Sequence, residues 1–268
     1  MPKRTIQSEI ARLPAHVEPL AERVARKPQF LPELFAGLRA DKPEIKYGCL
    51  KALRLISEKE PAALYPEFGR FVDMIGSENT IFKWGAIIII GNLAAVDSDD
   101  KIGRILDRYL APISGPVMIT AANTIGGAGK IARAKPRLAD RIVRALLQVE
   151  VANYQTPECR NVALGHVVKS LDLFFEHIGD QEPVIAFVQR QLDNSRNAVK
   201  KKAAAFLKKH GNMSRRGLAK VANRFQPPRP AGYFAGDYGS DKERVALESA
   251  MGKVRQRQGQ PPGATEAG

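Results

Sequence analysis

The sequence has few of the residues on which metal binding and covalent catalysis depend. Its 268 residues include two cysteines, four histidines and one tryptophan. The histidines lack metal-ligand spacing, and no Ser-His-Asp or Cys-His pattern is present. Cys49 and Cys159 lie far apart within predicted helices, where we expect them to be small buried apolar residues. The composition therefore predicts a protein without metal or cofactor, and it favours a non-catalytic role.

Long apolar runs are also missing. The most apolar stretch surrounds residues 87–90, between Lys83 and Asp97, and it falls short of the ~20 residues that a membrane-spanning helix needs. Residues 1–13 carry charges and lack the apolar core of a secretory signal. Together with the low cysteine content, these features predict a cytoplasmic protein without a transmembrane segment.

The chain carries a formal net charge of +14, and the excess lies mainly at one end. Residues 31–195 contain 20 basic and 20 acidic side chains, whereas residues 196–268 contain 16 basic and 5 acidic ones. A polyanion would therefore be attracted first to the C-terminal end of the chain. The balanced central region gives no such signal.

The central region is built from a repeated pattern. The sequence predicts five pairs of helices, and the second helix of each pair starts from a similar motif, as in KYGC at residues 46–49 and KWGA at residues 83–86. Successive copies lie 35 to 42 residues apart, which is typical of stacked helical hairpins. Aligning the second helices gives one column of mostly basic residues: Lys46, Lys83, Met118, Arg160 and Lys200. A column of small residues follows three positions later: Cys49, Ala86, Ala121, Ala163 and Ala203.

This combination of a basic residue, a small residue and a later apolar-glycine pair resembles the second helix of HEAT repeats, best seen in residues 83–93. The resemblance covers residues 30–210 and implies an all-α, right-handed α-α superhelix of about five HEAT-like (armadillo-like) hairpins. We expect capping helices over residues 1–30 and the solenoid over 31–211, with Gly211 ending its last helix. A basic, Pro- and Gly-containing extension over 212–268 is expected to be partly disordered, with one helix over 241–257.

The resemblance also suggests where a partner binds. Second helices of HEAT repeats usually line a concave surface, so we expect this surface to hold the basic column and two neighbouring aromatics: Lys46, Tyr47, Lys83, Trp84, Arg160 and Lys200. Binding a protein partner there would make the chain an interaction scaffold. In the alternative, the basic residues form hydrogen bonds and ion pairs between adjacent repeats.

A second set of cations supports another function. Several basic residues at the C-terminal end are candidates for sequence-independent, salt-sensitive contact with nucleic acid or another polyanion: Lys201, Lys202, Lys208, Lys209, Arg215, Arg216, Lys220 and Arg224. The alternative is a solvated last helix without a ligand. A third hypothesis is an enzyme similar to the alkylpurine DNA glycosylases built from HEAT-like repeats. Trp84 would supply an aromatic contact there, but the neutral repeat region matches those enzymes poorly.

Two further features favour structural roles. Asn92 and Asn123 lie in apolar second helices, where a buried amide needs hydrogen-bond partners. The sequence GGAGK at residues 126–130 does not meet the P-loop pattern, because Thr124 replaces the first glycine and Ile131 replaces the final Ser or Thr. Close packing between helices is the predicted role of these glycines.

Overall fold

A computed structural model of the chain describes residues 5–12 and 17–224, with side chains described as far as Gly211. The chain divides into the units Met1–Lys220 and Val221–Gly268. Of the second unit only residues 221–224 are described, at the end of the last helix, and the other features described below belong to the first unit. The described residues form helices and turns and no strand.

The α-helices of the described residues are these: α1 (Ile6–Arg12), α2 (Val17–Arg26), α3 (Leu31–Gly37), α4 (Pro43–Lys59), α5 (Pro61–Leu64), α6 (Phe68–Ile75), α7 (Thr80–Leu93), α8 (Lys101–Leu110), α9 (Met118–Ala134), α10 (Ala139–Leu147), α11 (Pro157–Leu171), α12 (Glu182–Arg190) and α13 (Asn197–Arg224). From α3 onward they follow one another as five hairpins, whose second helices are α4, α7, α9, α11 and α13. The second helices from α4 to α11 pack on one another in chain order, and α1 and α2 pack on α4. The predicted all-α solenoid is confirmed.

Local sequence signals explain where the second helices begin. The Asn79 side chain accepts hydrogen bonds from the backbone N–H groups of Ile81 and Phe82, at 3.0 and 3.3 Å. Thr156 accepts one from Cys159 in the same way at the start of α11. Both side chains satisfy N–H groups that the first turn of a helix leaves without partners. Pro43 occupies the first position of α4, where its missing N–H is not needed.

Small residues allow the second helices to approach each other closely. Every member of the predicted small column is fully buried: Cys49, Ala86, Ala121, Ala163 and Ala203. A Cβ atom on Gly91 of α7 would lie 2.8 Å from the Cα of Gly127 of α9, and one on Gly127 would overlap the Tyr109 hydroxyl. Close packing is thus confirmed for Gly127, whereas Gly126 faces open space.

A buried carboxylate joins two successive hairpins. The Asp97 side chain has no exposed surface, and it accepts hydrogen bonds from the Tyr65 hydroxyl at 2.7 Å and from the Lys101 and Ile102 amides. The Lys135 ammonium lies 3.0 Å from its second oxygen. Burial alone would raise the pKa of Asp97, but the hydrogen bonds from Tyr65, Lys135 and the two amides together outweigh it, so this pKa is lowered.

Exposed ion pairs repeat along the solenoid with the period of the hairpins. They join residues 37 to 40 positions apart: Lys59 with Glu22, Arg137 with Asp100, Arg190 with Glu150, Arg196 with Glu158, and Lys209 with Asp172. Such pairs add little to stability, because they are exposed to solvent. Their spacing shows that neighbouring repeats are aligned in register.

Two finer predictions were wrong. Helix α13 continues through Gly211 to Arg224 instead of ending at the glycine. Cys159 is half-buried instead of buried, whereas Cys49 is buried as expected. The burial of Cys49 raises the pKa of its thiol to about 12. The predicted helix over 241–257 and the predicted disorder lie outside the described residues. The predicted domain boundaries stay predictions.

None of the helices in the described part of the chain is both long enough and apolar enough to cross a membrane. The cytoplasmic location expected from the sequence stays a prediction.

Candidate functional site

Two adjoining cavities lie on the solvent-facing side of the second helices, which we call the open face. One has a volume of about 490 Å³ and lies between α4, α7 and α9. The other, about 360 Å³, extends from α4 across α7 and α9 to α11. Glu58 and Lys130 line both. We call the combined depression the groove, and it crosses four successive second helices.

Basic side chains dominate the charges of the groove. Arg54 comes from α4, Lys130 and Arg133 come from α9, and His166 and Lys169 come from α11. The sole carboxylate among the described lining residues is that of Glu58. No described carboxylate lies within ion-pair distance of any of these basic groups. The groove therefore carries positive charge that the described protein leaves uncompensated.

The pKa shifts of His166 in the groove and of its neighbour Lys202 agree with this positive field. The pKa of His166 is lowered first by partial burial and then by the charges of Lys202 and Lys169. The pKa of Lys202 is lowered by burial and by the charges of Lys169 and Arg196. Cations that mutually disfavour protonation are not neutralised by nearby anions. An anionic ligand would relieve that repulsion.

A hydrogen-bonded chain holds Lys130 in the groove. Lys130 donates to the Oδ1 atom of Asn92 at 2.6 Å, and the Asn92 amide nitrogen donates to the Ser57 hydroxyl at 2.8 Å. Ser57 in turn donates to the backbone oxygen of Arg54 at 2.6 Å. The chain crosses α9, α7 and α4, so the structural role predicted for Asn92 agrees with its contacts. Because both groups of the Asn92 amide are bonded, Lys130 has a fixed position.

The rest of the lining combines one available amide with apolar surface. Asn123 lines the groove, and its side chain has no hydrogen bond to any described residue. Ile88, Ala122 and Leu173 contribute apolar surface beside it. No Phe, Tyr or Trp lines either cavity among the described residues. The groove thus presents cations, an amide and aliphatic groups.

The predicted partner-binding residues lie elsewhere on the second helices, and none of them lines the groove: Lys46, Tyr47, Lys83, Trp84, Arg160 and Lys200. Trp84 donates from Nε1 to the Thr120 hydroxyl at 2.9 Å, which joins α7 to α9. The Tyr47 hydroxyl accepts from Asn79, and its ring packs edge-on against Phe82. These two aromatics therefore have structural contacts.

The side chains of the four basic members of that set make no hydrogen bond or ion pair with any described residue. The structure therefore gives no support to the alternative hypothesis that these residues form hydrogen bonds and ion pairs between adjacent repeats. Each is half-buried: Lys46, Lys83, Arg160 and Lys200. The Nε atom of Arg160 is buried without a hydrogen-bond partner among the described residues. Their role in binding a partner stays a prediction.

The C-terminal cations all lie on α13. Lys201 and Lys208 are exposed, Lys202 donates to the backbone oxygen of Gly165 at 3.2 Å, and Lys209 pairs with Asp172 at 2.8 Å. For the remaining four, only the helical backbone is described: Arg215, Arg216, Lys220 and Arg224. At least two of the predicted anion-binding residues are thus tied to α11 by contacts within the protein.

The sequence prediction did not include the basic residues of the groove: Arg54, Lys130, Arg133, His166 and Lys169. The signal that would have found some of them lies further along the same alignment. Lys169 lies nine positions after Arg160, as Asn92 lies nine after Lys83, and Lys130 lies twelve after Met118. Following the columns two or three helical turns onward reaches these polar positions.

The architecture defines the chain as an all-α solenoid of the armadillo and HEAT-like class. It is similar to a designed armadillo repeat protein with a TM-score of 0.53 and 14% sequence identity, over 75% of this chain and 90% of that one. An engineered protein of 14% identity aligns over 76% of this chain and 95% of its own length, with a TM-score of 0.45. No family model and no curated protein matches the sequence.

Proposed function

We propose that this protein is a non-catalytic scaffold that binds a protein partner through the open face of its second helices. The observation that supports this proposal most directly is the groove itself, which crosses α4, α7, α9 and α11. A depression that extends over several repeats suits an extended ligand better than a small molecule, because each repeat contributes a few contacts to it. Its binding groups come from rigid helices rather than loops.

Side chains that are already fixed in position favour such binding. Lys130 is held by Asn92, so its ammonium loses little conformational entropy when a ligand arrives. Asn123 keeps donors and an acceptor available in the cavity that reaches α11. Apolar surface from Ile88 and Leu173 adds non-directional affinity around these polar contacts.

A site-specific crosslinking experiment tests the proposal. A photoreactive amino acid at position 123, in the groove, is compared with the same residue at Arg144, which is exposed on first helix α10. After irradiation in an extract of the native cells, we expect a protein adduct from position 123 and none from position 144. Equal labelling from both positions, or none from position 123, would contradict binding in the groove.

Nucleic-acid binding is a second candidate, and the continuity of α13 favours it. The 28 residues of this helix span about 42 Å at a rise of 1.5 Å per residue. The two clusters that the sequence assigned to separate segments, Lys200–Lys202 and Arg215–Arg216, therefore lie on one helix.

A mobility-shift titration with a 30-nucleotide strand tests this second function. If the protein binds nucleic acid, we expect the binding to weaken steeply between 50 and 200 mM salt. The double variant Lys201→Glu and Lys208→Glu should abolish the shift, whereas Arg144→Glu should leave it intact. No shift at 50 mM salt, or equal loss in both variants, would end this candidate.

A further inference from the structure

We propose that the groove recognises an extended, acidic segment of the partner protein, with Asp or Glu side chains meeting the cations of α9 and α11. This inference rests on the proposed scaffold function and specifies the chemistry of the partner. It also differs from the sequence prediction, which assigned anion binding to the C-terminal cations and protein binding to the basic column.

Charge complementarity carries the inference. The groove brings together five basic side chains from three helices and a single described carboxylate. Arg133 and Lys169 are exposed at its rim, and they make no hydrogen bond or ion pair with described residues. Carboxylates arriving beside such cations gain attraction without displacing an internal partner. Apart from Glu58, every charged group that lines the groove favours an anionic ligand.

The dimensions of the groove suit an extended chain. Packed helices lie roughly 8–10 Å apart, so four second helices span about 24–30 Å. A peptide that extends by about 3.3 Å per residue covers this distance with roughly eight to ten residues. Neighbouring helices would then meet side chains about three residues apart. Side chains at every third position would face α4, α7, α9 and α11 in turn, so carboxylates at the first, third and fourth of these positions would reach Arg54 on α4, Lys130 on α9 and Lys169 on α11.

The uncharged lining favours a peptide over a nucleic acid. The available amide of Asn123 offers N–H donors and a C=O acceptor, which match the C=O and N–H of a peptide group. Ile88 and Leu173 can pack against aliphatic side chains between the carboxylates. Nucleic-acid grooves instead use aromatic rings on which bases stack, and no described lining residue supplies one. Glu58 can accept a hydrogen bond from a peptide N–H, whereas a phosphodiester backbone has no N–H to donate.

Fluorescence anisotropy with the full chain tests the inference. The probes are a labelled ten-residue peptide with Glu at positions 1, 4, 7 and 10, matched peptides with Gln or Lys at those positions, and a ten-nucleotide single strand. We expect the Glu peptide to bind and the Gln peptide to bind at least about tenfold more weakly. Lys169→Glu should weaken binding of the Glu peptide by about tenfold, the effect of about 1.4 kcal/mol.

Arg144→Glu is the matched control, because it makes the same charge change at an exposed position of a first helix. We expect it to change affinity less than twofold, and circular dichroism confirms that each variant is folded. Equal weakening by both variants would overturn the inference, since net charge alone would explain it. The inference would also be overturned if the oligonucleotide bound more tightly than the Glu peptide and lost that binding in the Lys169→Glu variant.

Failure of this inference differs from failure of the scaffold function. If the Lys or Gln peptide binds as well as the Glu peptide, or if position 123 crosslinks to a protein while the Glu peptide does not bind, the groove binds proteins of another chemistry. If no peptide binds and position 123 yields no adduct, the scaffold function itself fails.

Discussion

Lys130 and Asn92 join two successive repeats through one hydrogen bond of 2.6 Å. The contact belongs both to the solenoid, because it links α9 to α7, and to the groove, because Lys130 lines both of its cavities. The solenoid and the groove are therefore built from the same second helices. Variants of these helices must separate an effect on stability from an effect on binding.

Removing the Asn92 amide should destabilise the fold. Asn92→Ala removes the bonds to Lys130 and Ser57, and we expect a loss of about 1–3 kcal/mol in the free energy of unfolding, because partly buried polar partners are left unpaired. Urea denaturation measures it. Asn123→Ala is the control, since that amide has no described hydrogen bond, and it should change stability by less than about 0.5 kcal/mol. Equal losses in both variants would show that the bridge does not stabilise the fold.

Two adjacent glycines of α9 should respond in opposite directions to alanine. Gly127→Ala places a methyl group against the Tyr109 hydroxyl and should cost about 1–3 kcal/mol through overpacking. Gly126→Ala meets no atom within 4 Å, so it should stabilise the helix by about 0.5–1 kcal/mol. Thermal unfolding of both variants measures the difference. A Gly127→Ala variant as stable as Gly126→Ala would contradict the close packing of Tyr109 against Gly127.

Asp97 should make stability depend on pH. Its pKa is lowered in the folded protein, so its stabilising contribution is present above the unfolded value near 3.9 and is lost as pH falls through the folded value. At pH 7, Asp97→Asn should cost about 3 kcal/mol, because it leaves Lys135 without its buried partner.

Urea denaturation at pH 7 and at pH 3 tests this dependence. The difference between wild type and Asp97→Asn should shrink at the lower pH. The exposed neighbour provides the control, and Asp99→Asn should have little effect at either pH. A cost for Asp97→Asn that stays the same at both values would refute the linkage.

His166 should make recognition of the acidic peptide depend on pH. Its pKa is lowered in the free protein, so it is neutral at pH 8 and gains a proton below its ordinary value near 6.5. A bound carboxylate would favour the charged imidazole, so affinity should rise as pH falls from 8 to 5.5. The charged groups around His166, on its own helix and on the helices that face it, are Lys169, Lys202, Lys130, Arg54 and Glu58.

Anisotropy titrations of the Glu peptide across this pH range measure the effect. The His166→Gln variant lacks the titrating group and should show a flatter profile than wild type. If the two profiles have the same slope, other groups cause the pH dependence, and His166 does not contribute to the groove's charge.

The sequence predicted the helices and repeats of the solenoid well, because the signals for them are local. The small column that begins at Cys49 depends on the same position in each repeat. The groove was not predicted. The basic column at Lys46 and Lys83 was easy to see, but the cavities lie two to three turns further along those helices. The sequence predicted that Gly211 ends the last helix, but α13 continues through it, because glycine also occurs inside helices.

The sequence by itself determined the repeat period, the helices and their buried faces, because each hairpin must bury one apolar stripe against its neighbours. Tertiary structure decided where the open face is indented. That depends on side chains from four successive repeats meeting across α4 to α11, as when Gly91 meets Gly127 and Asn92 bonds Lys130. No single repeat contains this information, because the depth of a groove depends on the distances between helices.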